Sequence, residues 1–142
     1  MEAWEIARYM KEHDRVAVWL GVEILEVRPG YARMAMVVRE DMLNAAGICQ
    51  GGVTFSLADF AFAVASNSHG RLALAVSAQI YYPAAARAGE RLIAEAREVN
   101  LTEKTGIYEV SVRKEDGTLV AFFTGEVVRR GAFNPQALSP GQ

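Results

Sequence analysis

A single acidic residue, Asp59, stands inside the run Phe55-Ser56-Leu57-Ala58-Asp59-Phe60-Ala61-Phe62-Ala63, with no Lys or Arg within one helical turn of it. Aspartate is a poor residue for the middle of a helix and costly to bury without a partner. The simplest alternative puts Asp59 on a solvent-facing stripe with Ser56 and Ser66, but the flanking residues leave little polar face for such a stripe. The position therefore suits a carboxylate kept for chemistry. Just upstream, the loop Asn44-Ala45-Ala46-Gly47-Ile48-Cys49-Gln50-Gly51-Gly52 delivers backbone N–H groups to the start of the same helix. Exposed N–H groups at a positive helix end stabilise a developing oxyanion. A glycine pair before a helix is by itself a common turn device, and its weight here comes from Asp59 eight residues on.

The spacing places a demand on the assembly. Eight residues of helix rise roughly 12 Å, whereas an attacking group and an oxyanion donor must both lie about 3 Å from one carbonyl. Gly51 and Asp59 of one chain thus cannot serve the same site. If both act, Gly51 of one subunit works with Asp59 of another, and two-fold symmetry gives a dimer two equivalent sites.

Other chemistries find less support. His13 lies in a charged N-terminal segment and His69 beside Gly70 reads as a helix-end residue, so neither completes a Ser-His-Asp or Cys-His set. Cys49 has no nearby base in sequence and reads as a small packed side chain. No cluster has metal-ligand spacing, and no Rossmann glycine pattern or phosphate loop occurs.

The elements that must hold these residues follow from hydrophobic periodicity. Glu2 to Glu12 reads as a short amphipathic helix with Trp4, Ala7 and Met10 on its apolar face, and Asp14 caps a further turn through Trp19. Strands are expected over Val22 to Val27 and Tyr31 to Arg39, joined by a Pro29-Gly30 turn, with Met34, Met36 and Val38 on the buried side. Val53 to Asn67 contains no Gly, Pro or basic residue and is apolar nearly all round, which marks a buried helix. Four strand-like runs follow: Leu72 to Tyr82, Glu90 to Leu101, Thr105 to Lys114 and Thr118 to Arg129. Asp116-Gly117 is a hairpin turn between the last two. The expected architecture is α+β, one hairpin and a four-strand meander forming an antiparallel sheet curled around a central helix. One domain over residues 1–131 is expected, with a flexible tail at 132–142.

Composition agrees with one globular domain. The chain has 142 residues, 51% hydrophobic and 23% charged, with fifteen basic and seventeen acidic residues interspersed. That balance leaves no broad positive field for nucleic acid. The single cysteine and the absence of a basic-then-apolar N-terminus point to the cytoplasm, and no apolar run reaches the roughly 20 residues of a membrane span.

Asn44, Gln50-Gly51-Gly52, Phe55-Ser56-Leu57-Ala58-Asp59 and Ala61-Phe62-Ala63 closely resemble the PaaI-type, phenylacetate-pathway thioesterases of the hotdog superfamily. The likeness runs from about Leu20 to Arg129. It includes the stretch around Ser77, the Tyr82-Pro83 strand end, the Lys104-Thr105-Gly106 turn and Phe122-Phe123-Thr124-Gly125. The resemblance implies a hotdog fold, and hydrolysis of acyl-CoA or aryl-acyl-CoA of the phenylacetyl type to free acid and coenzyme A. By the same likeness Asp59 acts as nucleophile or general base, and the Gly51 amide polarises the thioester carbonyl. Asn44 positions the thioester or the attacking water, and Ser77 orients water beside the carboxylate. Gly52 and Pro83 flank the cleft, and the acyl group lies near Phe60 or Phe62. Arg87, Lys104, Thr105 and Arg130 lie where coenzyme A crosses a subunit interface, Arg87, Lys104 and Arg130 being the candidates to meet its phosphates. Relatives are commonly tetramers of dimers joined at sheet edges, and no metal or redox cofactor is implied.

One position departs from the pattern: Gln50 stands where the family usually has His. Gln hydrogen-bonds but supplies no proton near neutral pH. A competing expectation is therefore an acyl-CoA binding protein with little or no turnover. A hotdog hydratase or dehydratase is a further alternative, disfavoured because no usable His lies near Asp59.

Overall fold

The computed structural model describes residues 1–135. The chain forms α1 (Ala3–His13), α2 (Arg15–Leu20), β1 (Glu23–Arg28), β2 (Tyr31–Val37), a short 3-10 turn (Glu40–Met42), α3 (Gly51–Asn67), β3 (Arg71–Tyr81), β4 (Arg91–Leu101), β5 (Thr105–Lys114) and β6 (Leu119–Ala132). Among the described residues no helix is long and apolar enough to cross a membrane.

Local chemistry accounts for the element ends. Asp14 terminates α1 and starts α2, its Oδ1 accepting from the N–H groups of Val16 and Ala17 at 3.0 Å each, as an N-cap aspartate should. The expected apolar face of α1 needs correction: Ile6 and Ala7 are buried beside Met10, while Trp4 is 45% exposed. The β1–β2 turn closes at Gly30 with φ 78°, where a Cβ would also meet the Glu98 side chain at 3.1 Å. Met34, Met36 and Val38 are buried as their alternation predicts.

All six strands form one antiparallel sheet in the order β1-β2-β4-β5-β6-β3. The four-strand meander is therefore corrected to a three-strand meander, β4-β5-β6. β4 pairs with β2, from Tyr31 opposite Arg97 to Val37 opposite Arg91. β3 instead joins β6 at the far edge, with Tyr81 opposite Phe122. The cause lies in the connections: α3 carries the chain across the sheet, and the loop 82–90 is too long for the tight hairpin that would force β3 beside β4.

The sheet wraps α3, whose Leu57, Ala58, Ala61, Val64 and Ala65 are wholly buried against Met34, Leu92, Ala94, Val110 and Phe123. Phe62 packs its ring on Tyr108 and Phe123 with centroids 5.8 and 5.3 Å apart. Gly125 admits that ring, for a Cβ there would sit 2.8 Å from Phe62 Cζ. The C-terminal end of α3 is tied to the sheet by His69, whose Nε2 lies 2.6 Å from Glu98 Oε1, an oxygen that also accepts from Tyr108 Oη at 2.8 Å. His69 is thus the helix-end residue expected.

The chain does not leave the domain at residue 131. β6 continues to Ala132, Phe133 is 7% exposed, and its N–H donates to the Gly70 carbonyl at 2.9 Å. The rest of the expected tail, 136–142, lies outside the described residues.

Candidate active site

Two cavities lie at opposite ends of the same helix. The first, about 320 Å³, sits at the N-terminus of α3 and is lined by Asn44, Cys49, Gly51, Tyr82 and Pro83. The second, about 280 Å³, lies farther along and is lined by Asp59, Phe62, Ser66, Leu72, Leu74 and Phe133. Gly51 and Asp59 of one chain thus open into separate spaces, as the helical rise demanded.

The N-terminal end of α3 presents one free backbone donor. Gln50 is the N-cap residue, and its Oε1 accepts from Gly52 N–H at 2.6 Å. The N–H groups of Val53 and Thr54 bond the Gln50 carbonyl. Among the described residues Gly51 N–H has no acceptor. Gly51 has an ordinary helical backbone, and a Cβ there would lie 3.3 Å from Tyr82 Cζ, a contact that a small shift of the ring relieves. The Tyr82 hydroxyl donates to the Gly51 carbonyl at 2.8 Å, so Tyr82 braces the peptide next to the free donor. Sequence reasoning missed this residue, and no local signal could have marked a hydroxyl bonded 31 positions away.

Gln50 and Gly52 also cap the helix. Gln50 Oε1 accepts from Gly52 N–H, and the Gln50 side chain is exposed, so its Nε2 is open to a ligand. Asn44 likewise uses Oδ1 within its loop, accepting from the N–H groups of Ala46 and Ile48 at 2.9 and 3.3 Å. Cys49 packs against Thr54 with Sγ 3.5 Å from Oγ1, and burial pushes its thiol pKa up. That shift disfavours the thiolate and agrees with a packed side chain.

Asp59 is half-buried and forms no hydrogen bond or ion pair among the described residues. Its carboxyl pKa is raised above the usual 3.8, first by loss of water around it and then by the charge of Asp14. A solvent-facing stripe does not run through Ser66, which is buried and shares the Asp59 cavity. An unpaired carboxylate with apolar walls is a stronger base than an ordinary carboxylate and is free to act on a group that enters.

The remaining candidates are scattered. Phe62 lines the Asp59 cavity, whereas Phe60 is buried in the core and lines neither space, so of the two expected neighbours of the acyl group Phe62 is the one at the cavity. Ser77 lies on exposed β3 in a third groove with Gln79 and Glu126, separated from the Asp59 cavity by the bulge between Ala75 and Ser77. Thr105 uses its hydroxyl in the β4–β5 turn, 2.8 Å from that of Thr102. Lys104 sits in the same turn, and its carbonyl accepts from Arg129 N–H next to Arg130. Arg87 is exposed on the 82–90 loop, whose Ala84, Ala85 and Ala86 line the Gly51 cavity. One chain thus gathers Lys104, Thr105 and Arg130 near one another and holds Arg87 apart on a different loop.

Comparison with known proteins places this geometry. Residues 46–121 match the model of the thioesterase superfamily. The chain is 50% identical over 121 residues to a candidate esterase of Archaeoglobus fulgidus, covering 85% of this chain and 79% of that protein. It is 38% identical over 130 residues to the acyl-coenzyme A thioesterase PaaI of Escherichia coli, covering 92% and 93%. The solved structure of the E. coli PaaI protein, from the phenylacetic acid degradation operon, superposes with TM-score 0.89 over 92% of this chain and 94% of that one. TT0310 of Thermus thermophilus, 46% identical, gives 0.77 over 80% and 95%.

Proposed function

Because this chain belongs to the thioesterase superfamily and has its hotdog fold, we propose that it hydrolyses acyl-CoA or aryl-acyl-CoA thioesters with Asp59 as the reacting carboxylate. The observation that carries the reading is the half-buried, unpaired Asp59 in an apolar cavity of acyl size. The activity named for the E. coli relative supports it.

In the proposed reaction the thioester carbonyl accepts a hydrogen bond from Gly51 N–H, whose partial positive charge at the helix end grows in value as the oxygen becomes anionic. Asp59 either activates a water for attack or attacks the carbonyl carbon itself, and water then resolves the acyl-enzyme. The C–S bond breaks, coenzyme A leaves as the thiol, and the acid is released. Gln50 has no proton to give at neutral pH, so the departing thiolate takes its proton from Asp59, which gained one from the attacking water, or from solvent.

The two halves come together between copies of the chain. β3 ends the sheet with an unpaired edge, and Leu74 and Val76 lie bare along it. An apolar edge of this kind is suited to pairing with a second sheet. In such a dimer the Gly51 cavity of one subunit faces the Asp59 cavity of the other, and Ser77 lies at the junction. A phenylacetyl-type acyl group, coenzyme A phosphates held by Lys104, Arg87 and Arg130, and a tetramer built from two dimers belong to the same proposal.

The test is release of free thiol from acetyl-, hexanoyl-, decanoyl- and phenylacetyl-CoA. Turnover of at least one is expected. Saturable binding of all four without thiol release would instead identify an acyl-CoA binding protein and overturn the reading. Tyr82→Phe gives a finer check, since it keeps the ring on Gly51 and removes one hydroxyl donor. A neutral hydrogen bond contributes about 1 kcal/mol, so kcat is expected to fall about fivefold with KM little changed.

A further inference from the structure

Part of the lining of the Asp59 cavity does not come from the segment matching the thioesterase model. Met10 of α1 and Phe133 beyond β6 both line it, and both lie outside residues 46–121. We infer that Met10 and Phe133 set the size of the acyl group this enzyme accepts, limiting it to compact aryl-acyl and short or medium aliphatic acyl chains. The inference rests on the proposed thioesterase reading and adds the substrate class to it.

This part of the lining is held from several sides. Tyr9 packs edge-on to Phe133 with centroids 6.1 Å apart and stacks on His13 at 4.0 Å. His13 Nδ1 lies 2.8 Å from the Tyr9 carbonyl oxygen. Phe133 is anchored through its N–H to Gly70, at the C-terminal end of α3. The Met10 carbonyl accepts from Asp14 N–H at 2.8 Å, just where Asp14 caps α2. The two ends of the described chain therefore meet beside the cavity, and the two side chains that line it there sit on braced backbone.

Size follows from volume. An apolar cavity of about 150 Å³ takes up benzene, so 280 Å³ suits a ring on a short arm or an aliphatic chain of similar bulk. A long acyl chain must displace the Met10 side chain or the Phe133 ring. Methionine is the more adaptable of the two, being unbranched and flexible. Met10 is thus the finer control and Phe133 the fixed stop.

The experiment measures kcat/KM for hexanoyl-CoA and dodecanoyl-CoA with wild type, Met10→Ala, Met10→Phe and Phe133→Leu. Met10→Ala and Phe133→Leu are expected to raise the dodecanoyl-to-hexanoyl ratio at least tenfold, and Met10→Phe to lower it. Opposite shifts from enlarging and filling one position cannot arise from damaged folding, and a thermal melt of each variant checks that it is folded. A ratio within twofold of wild type in all variants, or a shift in the same direction for both Met10 variants, overturns the inference while leaving the thioesterase reading standing. If wild type releases no thiol from any thioester, the thioesterase reading is what fails.

Discussion

Asp59→Asn is expected to lower kcat for thiol release roughly a hundred- to ten-thousand-fold, the range lost when a positioned acid or base is removed, and at the same time to raise the melting temperature at neutral pH. The two effects share one cause. Burial raises the Asp59 pKa above 3.8, and the Asp14 charge adds to the rise, so the folded state holds this proton more tightly than the unfolded chain does. The sign then follows from linkage: the contribution of Asp59 to stability is fully present below 3.8 and is lost as pH rises through its folded pKa. At neutral pH the ionised carboxylate therefore strains the fold, and asparagine of the same shape relieves it. Melting curves of the two proteins should converge in acid and separate toward neutral pH, with the variant higher. The activity profile runs the opposite way, because the reaction needs the ionised form. Wild-type kcat/KM should rise with pH through an inflection above 3.8, and the residual rate of the variant should lack that limb. Equal rates in the two proteins would reject Asp59 as the reacting group.

The half-burial of Asp59 without a partner was legible in the sequence, as an acid without a cation inside a run that is otherwise apolar. The same run gave α3, since apolar residues covering most of a helix surface have only a core to go to. What the sequence did not carry was pairing between distant segments. The alternation in residues 72–82 marks a strand but does not say which neighbour it takes, so β3 moved from the meander to the far edge once α3 carried the chain across the sheet. Phe133 was hidden for a similar reason. Gly131 and Pro135 suggest an end to order, whereas contacts with distant segments, Tyr9 on the first helix and the Gly70 carbonyl, hold that residue in place. The capping role of Gln50 was readable in principle, because a polar side chain directly before a helix is placed to accept from its first N–H groups. Its likeness to a catalytic His position drew attention to ligand contacts instead. The consequence is specific: with Oε1 bonded to Gly52 N–H, Gln50 shapes the helix entrance and leaves Gly51 N–H free to act as the proposed oxyanion donor.

That donor is open to a clean deletion. Gly51→Pro is expected to lower kcat a hundred- to thousand-fold, the loss seen on removing one oxyanion-hole hydrogen bond, with the helix preserved. Gly51 is the first residue of α3, where proline is favoured because the N–H has no helical partner. Gln50, at φ −64° and ψ 134°, already has the extended conformation that a following proline requires. The added carbon atoms press on Tyr82, whose Cζ would lie 3.3 Å from a Cβ, so Gly51→Ala is the matched control: it brings the same Cβ but keeps the N–H, and should retain most activity. The two dead variants then test the composite site. When Asp59→Asn and Gly51→Pro chains are co-expressed in equal amounts, half the dimers are mixed, and each mixed dimer has one site with both defects and one with none. Activity should return to about a quarter of wild type under two-fold pairing. If Gly51 and Asp59 acted within one chain, every site in the mixture would carry a defect and the activity would stay at the level of the separate variants, so the recovery of rate from two inactive proteins decides whether the site is shared across the subunit boundary.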